Sequence, residues 1–513
     1  MLDKPGMPPV ADTKKTILDK DLKKIDRLQM ARSGPAVLSL KLALAGGFLV
    51  AILALTITGI IPSGGSYWIM LAAVIGGYMA MNIGANDVAN TMGPTVGSGT
   101  LTVVQALILA SVCNLLGAII AGGDVVSTVS KGIIDIDAIE NADVFIWAMI
   151  AALLAAAFWV NIATWVGAPV STTHSIVGGV MGAGIAAAGF SAVNWPVMSK
   201  IAASWVISPV LGGALAAAIL FAIKTQVLFK DDMITAARKW VPLFIAVMVS
   251  IFSVYLVMKG LKRVFKADPG FLIVQGIVVF FGAWYFLRPV IFRASEGIDN
   301  SRGAIARLFK IPLIFAAGLL AFANGANDVS NAVGPLAGVI SAVESGGVGA
   351  KAVAPLWILL IGGAGIAVGI YLFGMKLMQA VGKKITRLNI IRAYAVALSA
   401  GTTVIIASAL GLPVSSTHVA IGGVFGVGFL REYLTNRSGP GSPLAVDLTS
   451  LEGADLAAVK KKPSKKKLKR AKKRKLVRRN YFATILAAWI ITVPCAAFLG
   501  AMFFYMLRGM MLP

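Results

Sequence analysis

Charge is scarce in this chain. Only 13% of its 513 residues are Asp, Glu, Lys or Arg, while 58% are hydrophobic. That is too little charge to cover a soluble protein of this length. Cysteine is almost missing. Cys113 and Cys495 both lie inside apolar runs, which excludes a disulfide framework and leaves them as small apolar residues. Histidine occurs twice, at His174 and His418, and nothing in the sequence suggests a metal cofactor. Residues 1–38 are charged and lack an apolar signal-peptide core. The long first apolar run has no cleavage site, so it reads as an anchor.

What is present is a series of long apolar runs, each of the length that spans a hydrocarbon layer as a helix. Eleven are evident: 39–61, 65–85, 101–122, 144–166, 200–223, 240–258, 271–292, 311–325, 351–376, 391–410 and 481–507. Two Gly-rich runs, 175–190 and 419–430, cross or only dip in. The expectation is an all-α polytopic membrane protein with about 11–13 membrane segments.

The chain is also duplicated. GANDVANTMGP starts at Gly84 and GANDVSNAVGP at Gly325, agreeing at eight of eleven positions across 241 residues. GAPVSTTH (167–174) and GLPVSSTH (411–418) follow 83 and 86 residues after their first motifs. A third echo pairs SWVISP (204–209) with AWIITVP (488–494). These echoes divide the chain into six parts. Residues 1–64 form an N-terminal segment plus an extra span, 65–225 a first repeat, and 226–300 linking spans. Residues 301–430 begin the second repeat, 431–480 are a basic insert, and 481–513 carry the last span of the second repeat.

The net charge of +25 is concentrated. Fourteen Lys and Arg fall in residues 460–479, leaving +11 for the rest. The cluster lies directly before a membrane span. It therefore reads as a topology signal that touches anionic headgroups, and not as a nucleic-acid site. The basic N-terminus should be cytoplasmic. If both Gly-rich runs cross, the basic segments 224–239, 293–310, 377–392 and 431–480 fall inside, and only 259–270 dissents. The same count makes the two repeats inverted in topology. Inverted repeats with broken helices are the pattern of secondary transporters, with the binding site near the midplane.

Polarity inside a bilayer is costly, about 2.5–3.5 kcal/mol for a charge at the centre, so function should reside where it persists. Asp87 and Asp328 each end an apolar run with no Lys or Arg within ten residues. Such a carboxylate needs a proton or a cation. Asn86, Asn90, Asn327 and Asn331 add amide oxygens, completing a cage for a hard monovalent cation. Gly84, Gly93–Pro94, Gly325 and Gly334–Pro335 are expected to break the helix and free further carbonyls. Ser171, Thr172 and Thr173, matched by Ser415, Ser416 and Thr417, follow a proline and precede a Gly-rich helix. Hydroxyls and free N–H groups there suit an oxyanion. His174 and His418 serve as supporting residues, read here as hydrogen-bonding braces for these loops, with a proton relay as the competing role.

These paired motifs, GANDVxN and GxPVS[ST]TH, resemble the PiT family of inorganic phosphate transporters. So do VAPLWILLIGGAGIAVGIYLFG (353–374) and VGKKITRL (381–388). The resemblance covers roughly 65–225 and 300–507. It implies two inverted repeats and import of inorganic phosphate by symport with sodium or protons, with no other cofactor. It also implies that Asp87, Asn90, Asp328, Asn331 and the Ser-Thr loops hold phosphate and cations. Two departures stand out: Asn324 replaces a His usual in the family, and residues 1–61 add a span. The expected location is the cytoplasmic membrane, and a homodimer is left open. Sulfate and metal–phosphate complexes are alternative cargoes. Phosphate keeps a proton that it can donate to Asp87 or Asp328, whereas sulfate has none. An intramembrane hydrolase needs one catalytic set, not two. An anion channel would conduct without coupling.

Overall fold

The computed structural model describes residues 35–135, 138–260, 267–345, 354–375, 377–378, 388–437 and 479–511. The basic stretch 460–478 and residues 1–34 lie outside these, so the readings placed on them are untouched. Two compact units are distinguished, residues 1–48 and 49–513. The described part of the first is helical and belongs to α1 (Pro35–Ile57).

Twelve further long helices follow among the described residues. They are α2 (Tyr67–Gly97), α3 (Val103–Ala121), α4 (Ala142–Val166), α5 (Thr172–Ala188), α6 (Trp195–Ile223), α7 (Met233–Tyr255), α8 (Pro269–Ala294), α9 (Lys310–Ser345), α10 (Leu356–Phe373), α11 (Ile390–Ala409), α12 (Ser416–Arg437) and α13 (Arg479–Met511). Among the described residues eleven helices are long and apolar enough to cross a membrane, and they coincide with the eleven apolar runs. The Gly-rich runs form α5 and α12, which are not among the eleven.

Helix starts follow the side chains at hand. Thr102 and Gln105 form a reciprocal capping box on α3. Asn141 accepts the Val144 N–H on α4, and Asp232 accepts from Ile234 and Thr235 on α7.

One expectation is overturned. The Asn-Asp motifs do not break their helices; α2 and α9 run through them, with Pro94 and Pro335 inside. Each proline removes one amide donor, that for the carbonyl of Asn90 or Asn331 four residues back, without stopping the helix. Gly84 and Gly325 serve packing instead. A Cβ on Gly84 would collide with the Ile366 carbonyl of α10, and one on Gly325 with the Asn114 carbonyl of α3. The actual interruptions lie at 167–171 and 411–415. Gly167 and Gly411 take left-handed φ values of 79° and 69°, which close α4 and α11. Pro169 and Pro413 prevent resumption, and Ser171 and Ser415 then cap α5 and α12.

Packing exchanges elements between the halves. Helix α2 packs on α10 and α9 on α3, while α5 packs on α13 and α12 on α6. Within each half, α2 meets α4 and α9 meets α11. The two motif helices α2 and α9 also pack directly on one another. Polar motifs from both halves therefore converge at one buried centre.

Candidate functional site

Thr172 Oγ1 donates to Asp87 Oδ2 at 2.9 Å, and its counterpart Ser416 Oγ donates to Asp328 Oδ2 at 2.8 Å. Each aspartate is thus held by the first hydroxyl residue of the capped helix in its own half. The second hydroxyl residue reaches across. Asn90 Nδ2 donates to Thr417 Oγ1 at 2.7 Å, and Asn331 Nδ2 donates to Thr173 Oγ1 at 3.2 Å. Thr173 in turn donates to the Val414 carbonyl, while Thr417 is placed to donate to the Val170 carbonyl. These three pairs of bonds are mirrored between the halves.

The second contact of each aspartate is not mirrored. Thr417 Oγ1 also lies 3.2 Å from Asp87 Oδ1, whereas the second contact of Asp328 is with its own Asn331 at 3.5 Å. Asp87 therefore touches both loops. Asn331 Nδ2 also lies 3.4 Å from Thr172 Oγ1, the hydroxyl bonded to Asp87, so both carboxylates belong to one hydrogen-bonded cluster.

Asn86 and Asn327 hold the loops. Asn86 Nδ2 donates to Thr164 Oγ1 (3.0 Å) and the Ala168 carbonyl (3.3 Å), and its Oδ1 accepts the Val170 N–H. Asn327 Nδ2 repeats the pattern with Ser408 Oγ and the Leu412 carbonyl. The Asn86 amide is therefore spent at both ends on bracing. The Oδ1 atoms of Asn90, Asn327 and Asn331 are buried with no hydrogen-bond partner. Asn324, at the departure from the family pattern, donates to Asn114 Oδ1 at 2.9 Å.

The cluster is sealed: Asp87 and Asp328 are each 1% exposed, and no member of the two Asn-Asp and Ser-Thr sets exceeds 2%. Buried charge of this kind is retained only when satisfied by partners or ligands.

The histidines make close ring contacts beside the site. His174 packs on Trp205 with centroids 3.8 Å apart, and His418 on Trp489 at 3.5 Å. The two imidazoles meet edge to face at 4.4 Å. Both ring nitrogens of each imidazole are buried without a hydrogen-bond partner. In place of the expected side-chain hydrogen bonds, the imidazoles make ring contacts in the order Trp205–His174–His418–Trp489, of which only the last pair is stacked. The tryptophans were visible in the third sequence echo, but nothing in their spacing indicated what they touch.

All sequence-selected residues therefore fall in one cluster. Sequence reasoning missed the glycines that bring its helices together. Gly178 and Gly182 of α5 face backbone of α13, and Gly422 and Gly426 of α12 face backbone of α6. The repeated GGVxG after each His is the signal that marked them.

Comparison with known proteins identifies the family. The profile of the phosphate transporter family matches residues 83–500. A Helicobacter pylori J99 protein named "Putative phosphate permease" is 45% identical over 506 residues, covering 91% of this chain and 95% of that one. A Pyrococcus abyssi relative of the same description is 40% identical over 367 residues, covering 71% of this chain and 89% of its own. A solved structure titled "The sodium-dependent phosphate transporter" superposes with a TM-score of 0.75 at 33% identity, covering 87% of this chain and all of the other. The family is one of permeases and not of enzymes, and this multi-pass membrane protein belongs to the phosphate transporter family.

Proposed function

We propose that the chain is a sodium-coupled symporter that imports inorganic phosphate across the cytoplasmic membrane, N-terminus inside. The observation that carries this reading is the pairing of two sealed carboxylates with three orphaned amide oxygens. Oxygens of Asp87, Asp328, Asn90, Asn327 and Asn331 suit a hard cation, and neutral amides coordinate sodium but carry no proton. Phosphate belongs between the facing N-termini of α5 and α12, where N–H groups and hydroxyls favour an anion.

The hydrogen bonds suggest how the two ligands couple. Thr172 and Ser416 donate their only hydroxyl hydrogen to Asp87 and Asp328. A cation on those carboxylates releases the hydroxyls to turn toward phosphate oxygens. Each ligand thereby lowers the cost of binding the other, which is reciprocal coupling. The two halves are inverted copies if α5 crosses, because six crossings, α3 to α8, then lie between α2 and α9, and an even number between them leaves the two motif helices opposite in direction.

The test is uptake into proteoliposomes at equal, fixed pH on both sides, with the membrane potential clamped. Phosphate should accumulate with a sodium gradient and not with an inert cation, and excess sulfate should leave it unchanged. Accumulation that ignores sodium but follows an imposed pH gradient would hand the aspartates to proton transfer. Asp87→Asn and Asp328→Asn should each abolish coupled uptake while the purified protein keeps its thermal unfolding transition.

A further inference from the structure

The linking hairpin, α7 and α8, takes no part in the central cluster. Helix α8 packs on α7, and nearly all of its apolar stretch is left unburied. A cavity of about 880 Å³ opens at one end of this pair, lined by Arg238, Lys239, Trp240, Trp284, Arg288 and Phe292. The Arg238 guanidinium lies 4.1 Å over Phe292 and donates Nε–H to Ser295 Oγ. Arg288 lies 4.8 Å over Trp284. The acid beside the pocket, Asp232, is engaged in capping α7. Three cations thus line the pocket, and two of them, Arg238 and Arg288, lie over aromatic rings.

A second cavity of about 460 Å³ lies deeper along the same two helices, lined by apolar side chains including Val247, Ile251, Val254, Ile273 and Ile277. Lys239, Leu243, Val247, Ile251 and Val254 succeed one another at steps of three and four residues, so both cavities share one face of α7. Ile277, Phe281, Trp284, Arg288 and Phe292 do the same on α8. The drop from Lys239 to Ser250 is about 16 Å at 1.5 Å per residue, close to the ~15 Å of one leaflet's hydrocarbon.

We propose that this groove is a binding site for one anionic phospholipid of the bilayer. Its phosphodiester sits between Arg238, Lys239 and Arg288, and an acyl chain lies in the trough below. Arginine forks match phosphate oxygens, and tryptophans belong at headgroup depth. Basic pockets between membrane helices bind lipid headgroups by this chemistry.

Native mass spectrometry of the full chain, titrated with phosphatidylglycerol or phosphatidylcholine, tests the site. Wild type should hold one phosphatidylglycerol selectively. Lys239→Gln with Arg288→Gln, both exposed positions, should weaken it about thirtyfold. Ile277→Trp, which fills the trough at another exposed position, should weaken it too. Unfolding temperatures in phosphatidylcholine should stay at the wild-type value for all variants. Equal retention of the two lipids overturns the proposal. So does displacement of phosphatidylglycerol by inorganic phosphate with Ile277→Trp unaffected, which would mark a free-anion pocket.

Discussion

At the scale of single residues, the Thr172 hydroxyl has one hydrogen and two claimants. It donates to Asp87 in this structure, and under the proposed phosphate site between α5 and α12 the anion needs the same hydrogen. Thr172→Val keeps shape and removes the donor. Its expected effect is a phosphate KM raised about tenfold or more, the worth of one hydrogen bond to a charged group, with sodium dependence retained. Uptake measured against both ligands separates this from simple misfolding, which would lower the maximal rate alone. The histidines allow a similar separation. If their rings act by stacking, His174→Phe preserves the contact with Trp205 and keeps most of the uptake, whereas His174→Ala loses it. A proton relay would be destroyed by both. The sequence identified these residues because polar side chains repeated inside apolar runs have few structural excuses. It did not reveal that Asn86 and Asn90 differ in role. That difference depends on which oxygen a neighbouring N–H occupies, and the Val170 amide reaches Asn86 only after the turn at Gly167 has formed.

At the scale of elements, the central helices approach to backbone distance through glycine. A Cβ on Gly182 would collide with the backbone of Ala497, and one on Gly426 with that of Gly213. A Cβ on Gly282 would meet nothing within 4 Å. Gly182→Ala should therefore destabilise the protein by about 1–3 kcal/mol through overpacking. Gly282→Ala should be neutral or stabilising by up to about 1 kcal/mol from helix propensity. Thermal unfolding in one lipid mixture compares them directly, and equal effects would remove the close approach from the account. The existence of the helices was legible, because eleven apolar runs of spanning length leave little choice of structure. Their interruptions were partly legible. Gly and Pro flank both motif types in the sequence, and only the G-x-P sites stop the helix. The difference lies in the third partner, the Ser that caps the next helix immediately after the break.

At the scale of the whole molecule, neither half owns its part of the site. Thr417 from the second half accepts from Asn90 in the first, and Thr173 from the first accepts from Asn331 in the second. The scaffold repeats this exchange in α2 on α10 and α9 on α3. Duplication was plain in the sequence, but the exchange was not, since similar motifs say nothing about which copy a side chain will meet. Charge supplies the remaining large-scale feature. The stretch 460–479 holds fourteen Lys and Arg and interrupts the second repeat. A deletion that preserves orientation should leave turnover unchanged in reconstituted vesicles, with lipid preference altered. The exchange makes a stronger prediction. Residues 1–300 and 301–513, expressed separately, each expose faces that the other half covers, and each lacks two of the four loop-to-asparagine partners. Neither alone should transport phosphate or resist proteolysis, while co-expression should restore uptake. One half alone has no second copy to complete its loops. Sodium-driven uptake by either half alone would therefore mean that each copy builds a whole site, and the exchanged hydrogen bonds would lose their role in transport.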